Sequence, residues 1–255
     1  MRLSIIGAGN MGGAIARALA DGPYFNASDI TCTARSSETL QKLDRDFHTL
    51  TDNREAVKDA DIVVFAVKPW FMEDVVKDVA PFMDLGRQIV ISVAAGISFS
   101  QLSGWFGVDD AAIFRVIPNT AIEVGSGVTF ISSWNASQEQ RKMILDAFAQ
   151  MGFALEVDES MMTAGTHLAS CGIAYAMKYI QAAAIGGEHL GFDLEQATKI
   201  VEYTVKGAAE LLLATGNQPQ VEIDKVTTPG GMTEKGLAAM EEAGFMQAVL
   251  KSLQL

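Results

Sequence analysis

The chain has 255 residues, of which 49% are hydrophobic and 20% are charged. This balance is typical of a globular protein and excludes a disordered chain, and the length favours one large and one small domain. The formal net charge of −12 argues against a nucleic-acid partner, because binding to a phosphate backbone requires a positive face.

Cysteine content and the first residues both favour a cytoplasmic protein. The two cysteines, Cys32 and Cys171, lie far apart in apolar segments, so we interpret both as reduced thiols in the core. A predicted strand begins at Leu3 and leaves no room for a signal peptide. No apolar run reaches the roughly 18 residues that span a membrane, so we expect no membrane partner.

Short β-rich runs alternate with turns and amphipathic stretches over the first 158 residues. This alternation predicts βαβ units around a parallel sheet. The predicted strands are Leu3–Ile6, Ile30–Thr33, Ile62–Ala66, Ile89–Ser92, Ile113–Val116, Gly127–Ile131 and Ala154–Val157. Apolar residues at helical spacing predict helices at Asn10–Leu19 and Glu139–Gln150.

Beyond Asp158 the composition changes to stretches rich in Ala, Leu, Met and Glu, which favour helix. Three helical blocks are predicted, at Ser160–Leu190, Asp193–Thr215 and Thr233–Leu255. The sequence therefore predicts an α/β domain over residues 1–158, followed by a smaller all-helical domain over residues 159–255.

A glycine-rich loop joins the first strand to the first helix. Gly7, Gly9 and Gly12 form a GxGxxG pattern with Asn10 and Met11 between them, in the strand–turn–helix context of a dinucleotide-binding loop. Gly7 permits the tight turn, Gly9 lets backbone N–H groups approach a pyrophosphate, and Gly12 lets the helix pack closely on the strand. The helix N-terminus attracts the anion. We therefore predict a Rossmann-type domain in which these five residues bind a dinucleotide.

The end of the second strand indicates which dinucleotide is bound. An acidic residue there holds the ribose hydroxyls of NAD, whereas a basic residue accommodates a 2′-phosphate. The strand runs into Ala34, Arg35 and Ser36, without a carboxylate. Arg35 offers a charge-assisted fork to phosphate, and Ser36 adds a hydroxyl donor. The sequence predicts NADP(H) as cofactor, with NAD(H) bound at lower affinity; the alternative is an exposed arginine in a turn.

Other candidate cofactor contacts follow strands, because nucleotides bind at the carboxyl ends of strands in open parallel sheets. These residues are Ala66, Val67, Lys68 and Pro69 after the third predicted strand, and Ala94 and Gly96 after the fourth. Asn53 precedes the third strand and is either a helix cap or a ribose contact.

Several segments together resemble the pyrroline-5-carboxylate reductase family. They are residues 7–12, Ala66-Val67-Lys68-Pro69, Ala95-Gly96-Ile97, residues 115–120 and Thr228-Pro229-Gly230-Gly231-Met232-Thr233. They span nearly the whole chain in the family's order, and the Pro-Gly-Gly-x-Thr element is the most specific of them. The resemblance implies a Rossmann domain, then a helical domain that forms a homodimer and often assembles further. It also implies NADPH-dependent reduction of 1-pyrroline-5-carboxylate to proline.

A substrate site follows from the same resemblance. The loop at Gly230, Gly231 and Met232 can point successive N–H groups into one concavity, which suits a carboxylate. The resemblance makes Thr233 the catalytic residue, which donates to the imine nitrogen; alternatively, Thr233 caps the following helix. Ser170 and Asn119 are further predicted substrate contacts.

The chain departs from the family at the start of the helical domain. The family shows Ser-Gly-Ser-Gly-Pro-Ala-Tyr, whereas this chain reads Leu168-Ala169-Ser170-Cys171-Gly172-Ile173-Ala174-Tyr175. Only Ser170, Gly172, Ala174 and Tyr175 match in register. A related imine reductase that acts on another cyclic imine therefore stays open, since fold alone does not fix the substrate.

Three other functions can be compared with the sequence. A 3-hydroxyacid dehydrogenase would need a lysine four residues after a glycine, whereas Gly172 and Lys178 are six apart. An NADP-sensing protein without turnover stays open, although a sensor has no need of the Pro-Gly-Gly-x-Thr segment. A metal site is not expected, because a catalytic site needs three convergent ligands and the spacing of the three histidines, His48, His167 and His189, does not provide them.

Overall fold

A computed structural model describes residues 1–43 and 45–254. The chain divides into two compact units, Met1–Cys171 and Gly172–Leu255. The last residue of the predicted helical block Thr233–Leu255 lies outside the described residues.

The first unit contains an eight-stranded sheet in the described part of the chain. The strands are β1 (Leu3–Ile6), β2 (Ile30–Thr33), β3 (His48–Leu50), β4 (Ile62–Phe65), β5 (Ile89–Ser92), β6 (Ile113–Pro118), β7 (Gly127–Trp134) and β8 (Gly152–Glu156). Their order across the sheet is β3-β2-β1-β4-β5-β6-β7-β8. Strand order reverses between β1 and β4, and this switch point is where doubly wound sheets bind nucleotides.

Helices cover both faces of this sheet. They are α1 (Asn10–Ala20), α2 (Ser37–Leu40), α3 (Asn53–Lys58), α4 (Met72–Val79), α5 (Phe99–Phe106), α6 (Gln138–Ala149) and α7 (Met162–Gly165). One hydrophobic cluster joins the sheet to α1 and α6, and the other joins it to α3, α4 and α5. The neighbours Ile5 and Ile6 belong to different clusters, because successive side chains of a strand point to opposite faces. The predicted α/β fold is confirmed.

One pairing differs from the predicted parallel sheet. β6 and β7 are antiparallel, whereas β7 and β8 are parallel. The connection over residues 119–126 is shorter than the dozen or so residues that a parallel crossover requires, so the chain can only turn back on itself. The pairing of β6 with β7 is therefore the one antiparallel exception within the predicted parallel sheet, among the strands described.

Residues 159–171 pack within the first unit, beyond the predicted change of domain at residue 158. The Glu159 carboxylate accepts hydrogen bonds of 2.7 Å from both the Arg115 guanidinium and the Phe99 backbone N–H. Gly165 lies so close to the Phe130 ring that an added Cβ would come within 2.8 Å of it. The segment ends in a π-helix, Thr166–Cys171, a feature that often occurs at functional sites.

The second unit is helical. It contains α8 (Gly172–His189), α9 (Leu194–Thr215), α10 (Pro219–Val226), α11 (Met232–Glu242) and α12 (Phe245–Ser252). The Asp193 carboxylate accepts a 2.8 Å hydrogen bond from the Gln196 N–H and so begins α9 where the sequence predicted. The third predicted block is divided at Gly244, whose φ of +80° ends one helix and starts the next.

Few side chains of this helical unit are buried in the single chain. Gly187 of α8 faces Ala197 of α9, and an added Cβ would lie 2.8 Å from the alanine Cβ. Tyr175 and Tyr179 attach α12 to α8, through a hydrogen bond to the Ser252 carbonyl and a ring contact with Phe245. Nevertheless, Ala184 and Ala197 are the only buried residues among residues 172–254. None of the helices described in either unit is both long enough and apolar enough to cross a bilayer.

Candidate functional site

A cleft of about 550 Å³ opens where β1, β2 and β4 end. Eight of the predicted cofactor contacts line it: Gly7, Gly9, Arg35, Ser36, Asn53, Ala66, Val67 and Lys68. The fold thus brings together residues that come from four separate loops. Lining residues that the sequence did not single out are Thr33, Thr39, Thr51, Phe71, Asp74 and Val75.

The glycine-rich loop has the geometry that each glycine predicted. Gly7 has φ of +96°, and its N–H and that of Ala8 donate to the Thr33 carbonyl at 3.1 and 2.6 Å. An added Cβ on Gly12 would overlap the Gly7 carbonyl oxygen and lie 3.0 Å from the Ala66 Cβ. An added Cβ on Gly9, by contrast, would meet nothing within 4 Å. The loop is therefore closely packed on the strand side and open at Gly9.

The first turn of α1 leaves backbone N–H groups free for an anion. Asn10 and Met11 form this turn, Gly9 is its N-cap, and no side chain caps it. The turn contains no acidic residue, so no carboxylate repels a phosphate there. A helix N-terminus of this kind stabilises a negative group.

Thr33 and Asn53 are joined at the floor of the cleft. The Thr33 hydroxyl donates to Asn53 Oδ1 at 2.6 Å and lies 3.3 Å from the Gly7 N–H. The N-cap of α3 is Asp52, whose carboxylate accepts a 2.9 Å hydrogen bond from the Arg54 N–H. The interpretation of Asn53 as a helix cap was therefore wrong, and the ribose contact is the alternative that remains.

Arg35 lies exposed at the cleft, with its guanidinium 4.8 Å from the centre of the Phe71 ring. It forms no ion pair with any other described residue. Ser36 caps α2, and its hydroxyl oxygen accepts a 3.3 Å hydrogen bond from the Thr39 N–H. With Arg35 and Lys68 set against Asp74, the charged lining sums to +1 in a chain whose net charge is −12. The cleft therefore offers a local positive field.

Six predicted cofactor contacts are not among the lining residues of this cleft: Asn10, Met11 and Gly12, which lie at the start of α1, and Pro69, Ala94 and Gly96. Pro69 begins a 3₁₀ turn, Pro69–Phe71, that carries Phe71 to the cleft. Ala94 is buried, whereas Gly96 is exposed and has φ of +78°. Their contacts with a cofactor stay predictions.

In the second unit, residues 228–233 form a tight turn before α11. The Gly231 N–H donates to the Thr228 carbonyl at 2.8 Å, and Gly230 has φ of +72°. The Gly230 N–H donates to a Glu234 carboxylate oxygen at 2.6 Å. This loop therefore binds a carboxylate of its own chain through a backbone amide.

Thr233 is the second residue of α11 and is exposed. The N-cap position is occupied by Gly231, and no side chain caps the helix. The alternative in which Thr233 acts as the cap is therefore wrong. Met232, which precedes Thr233, is 91% exposed.

Asn119 and Ser170 lie together at the end of β6. Asn119 is only 7% exposed; its Oδ1 accepts from the Ala121 and Val128 N–H groups, and its Nδ2 donates to the Ala169 carbonyl at 3.4 Å. The Ser170 hydroxyl donates to the Pro118 carbonyl at 3.2 Å. Both side chains hold the π-helix against the sheet in this structure, and their substrate contacts stay predictions.

The two cysteines differ in their surroundings. Both are free, and Cys32 is buried in β2, where burial raises the pKa of its thiol to about 12. Cys171 is half-buried at the end of the π-helix. The predicted core position therefore holds for Cys32 and is wrong for Cys171.

Two family models match the chain. One, described as pyrroline-5-carboxylate reductase dimerisation, matches residues 159–254. The other, described as NADP oxidoreductase, coenzyme F420-dependent, matches residues 2–96. Together they cover the glycine-rich loop and the turn before α11.

Individual proteins resemble the chain over its full length. Pyrroline-5-carboxylate reductase 1 of Dictyostelium discoideum is 34% identical over 98% of this chain, although the chain spans only 48% of that protein. Pyrroline-5-carboxylate reductase of Aquifex aeolicus is 33% identical, over 99% of this chain and 94% of that one. The crystal structure of Plasmodium falciparum pyrroline carboxylate reductase with NADP bound has a TM-score of 0.91 and 27% identity, covering 100% of this chain and 94% of that one.

Proposed function

Because the chain belongs to the pyrroline-5-carboxylate reductase family, we propose that it reduces 1-pyrroline-5-carboxylate to L-proline with NADPH. The observation that carries this proposal is the Gly230 N–H, which donates to a carboxylate oxygen of Glu234 at 2.6 Å and so shows that this amide can bind a carboxylate. The same amide suits the carboxylate of a cyclic imino acid. A cyclic imine without a carboxylate would form no such hydrogen bond with this turn.

The cleft in the first unit fits NADP(H). Gly7, Gly9 and the first turn of α1 hold the pyrophosphate, and Arg35 binds the 2′-phosphate through its planar fork of N–H groups. Asn53 contacts a ribose hydroxyl. Bound NADPH supplies a hydride to the imine carbon. NAD(H) lacks the 2′-phosphate and binds with lower affinity.

Thr233 is the catalytic residue of this proposal. Reduction of the imine requires one hydride and one proton, and a cyclic imine takes its proton from water readily. Thr233 hydrogen-bonds the imine nitrogen, while the turn at Gly230, Gly231 and Met232 fixes the carboxylate, so that one face of the ring is presented. Within this turn the Gly230 N–H is the donor to the carboxylate, because the Gly231 N–H is already bonded to the Thr228 carbonyl. The Thr233 hydroxyl suits this task because it is exposed and caps no helix.

We propose that residues 1–158 bind the cofactor and that residues 159–255 bind the substrate and form the homodimer. The start of the dimerisation match at residue 159 supports this boundary. We place the homodimer contact on the C-terminal helices, where most side chains are exposed in the single chain. The cytoplasm, which supplies NADPH, is the proposed location.

Oxidation of NADPH by the purified protein tests the proposal, with 1-pyrroline-5-carboxylate and simple pyrroline as parallel substrates. Turnover of the carboxylated imine alone would support it. Equal turnover of both would favour a different imine reductase, because the carboxylate would then contribute nothing. Tight NADPH binding without turnover of either would favour a sensor.

A further inference from the structure

We infer that Phe71 sets the preference for NADPH over NADH by holding the Arg35 guanidinium against the face of its ring. This inference rests on the proposed function of the cleft. It assigns a role in cofactor specificity to Phe71, which lies outside both the glycine-rich loop and the end of β2. Phe71 acts through Arg35 and is therefore a positioning residue.

The backbone fixes Phe71 at the cleft. Pro69 begins the 3₁₀ turn, and the Phe71 N–H closes it by donating to the Lys68 carbonyl at 2.9 Å. The next residue, Met72, is fully buried and starts α4. The Phe71 ring therefore stands on a rigid support, and it is 36% exposed because one part of it faces the open cleft.

Arg35 has no other described partner that would orient it. Its guanidinium lies 4.8 Å from the centre of the Phe71 ring, within the distance at which a cation is attracted to an aromatic face. Without this contact, an exposed arginine side chain samples many rotamers. A side chain that is already oriented loses less entropy when it binds a ligand.

Contact with the ring leaves the donors of Arg35 available, because no hydrogen bond or ion pair to another described residue uses them. A guanidinium carries five N–H groups around the edge of a plane, more than contact with one ring can cover. Phosphate is bound at the edge, so Phe71 and a phosphate can both contact the same guanidinium. Only NADPH carries the 2′-phosphate, so the benefit of orienting Arg35 belongs to NADPH alone.

A competing role for Phe71 is direct contact with the part that both dinucleotides share, such as the adenine ring. Loss of that contact would weaken NADPH and NADH equally. The two roles therefore differ in a binding measurement that requires no imine substrate.

A double-mutant cycle with Phe71→Leu and Arg35→Ala tests the inference by titration of protein fluorescence with NADPH and with NADH. We expect Phe71→Leu to weaken NADPH binding about two- to fivefold, the effect of one exposed cation–π contact, and to leave NADH binding unchanged. In the Arg35→Ala background the same substitution should have no effect on NADPH. Phe71→Tyr should keep the wild-type preference, because tyrosine retains the aromatic face.

The chain offers a matched control in Phe82, which is exposed and lies 5.7 Å from the Arg54 guanidinium, outside the lining of the cleft. Phe82→Leu should leave both affinities unchanged. Equal weakening of NADPH and NADH by Phe71→Leu, or an undiminished effect without Arg35, would overturn the inference and leave the proposed reduction intact. Failure of the wild-type protein to bind either dinucleotide would overturn both. Thermal unfolding of each variant verifies that it is folded.

Discussion

The two units of the chain differ in how completely they bury their own apolar side chains. The first unit has two hydrophobic clusters, one on each face of its sheet. The second has two buried residues in its described part, Ala184 and Ala197. Leu213 in α9 is 85% exposed, and Leu190, Tyr203 and Val226 are also largely exposed.

The two units have a similar content of apolar residues, but only the first buries them within its own fold. Stability of a folded domain comes mainly from apolar surface removed from water, and exposed apolar patches of this extent mark interaction surfaces. The first unit has the core of an independent domain. The second requires a further surface, which we propose is the same unit of a second copy. Mutations in the first unit should therefore change NADPH binding and stability, whereas mutations in the second should change kcat, KM or the homodimer.

The largest expected effect lies in the first unit, at Gly12. In Gly12→Val the new Cβ would overlap the Gly7 carbonyl oxygen. Neither group can move away easily, because Gly12 lies in α1 and Gly7 directly follows β1. We expect NADPH binding to be lost and the free energy of unfolding to fall by about 1–3 kcal/mol. Fluorescence titration and thermal unfolding measure these two effects.

Gly104 provides the control for this substitution, because an added Cβ would meet nothing within 4 Å there. Gly104→Ala in α5 should keep full NADPH affinity and the melting temperature of the wild type or slightly above. Unchanged NADPH affinity in Gly12→Val would contradict the assignment of the loop.

The second effect lies in the second unit, at Thr233. Thr233→Ala should reduce kcat by one to two orders of magnitude, about 1.4–2.8 kcal/mol on the barrier, because the hydroxyl no longer contacts the imine nitrogen. NADPH affinity and melting temperature should stay unchanged, since Thr233 caps no helix. Steady-state kinetics give the result, with Thr204→Ala in α9 as an exposed helical control. Normal kcat in Thr233→Ala would exclude the catalytic role.

The third prediction concerns the exposed surface of α9, which we propose as part of the homodimer contact. Leu213→Glu places a charge on α9 where the side chain is 85% exposed, and it should weaken the homodimer at least tenfold if this face is the contact. Light scattering across a dilution series measures the change. Val124→Glu in the first unit is the control, because Val124 is 77% exposed and lies outside the helical unit. A wild-type protein that is monomeric at micromolar concentration would rule the dimer out.

The smallest effect concerns Glu234, whose carboxylate accepts the hydrogen bond of the Gly230 N–H. A substrate carboxylate that uses the same amide must displace it. Glu234→Ala should therefore lower the KM for the imino acid about three- to tenfold without changing kcat; the effect is moderate because water and salt screen this exposed site. A higher KM would show instead that Glu234 keeps the loop in shape.

The sequence predicted the elements whose signal is local. β1, β2, β4 and β5 are short β-branched runs, and the loop at Gly7 shows its function in its spacing. β3 was missed because His48–Leu50 is only three residues long and exposed, with no apolar run to mark it. α10 begins at a proline after a polar stretch and was missed for a similar reason.

Site residues were missed when their position depends on tertiary structure. Thr33 ends a buried strand, and nothing in the sequence shows that its hydroxyl meets Asn53. Phe71 and Arg35 lie far apart in sequence, and only the turn after Pro69 brings the ring to the guanidinium. By contrast, the position of Arg35 in the lining of the cleft was predictable, because the end of β2 is a fixed place in folds of this kind, and its contact with a 2′-phosphate stays a prediction.

The reversal of the chain at β7 determines where it leaves the first unit. β7 and β8 run against the other strands, so β8 carries the chain away from the edge at which the cleft opens. Residues 159–171 then lead back to that edge, where Ser170 contacts the Pro118 carbonyl at the end of β6. The return of residues 159–171 thus reverses the change of direction made at β7. The short connection over residues 119–126 therefore determines where the chain leaves the first unit. Lengthening it enough for a parallel crossover would change the direction of β7, and with it the position at which the chain exits.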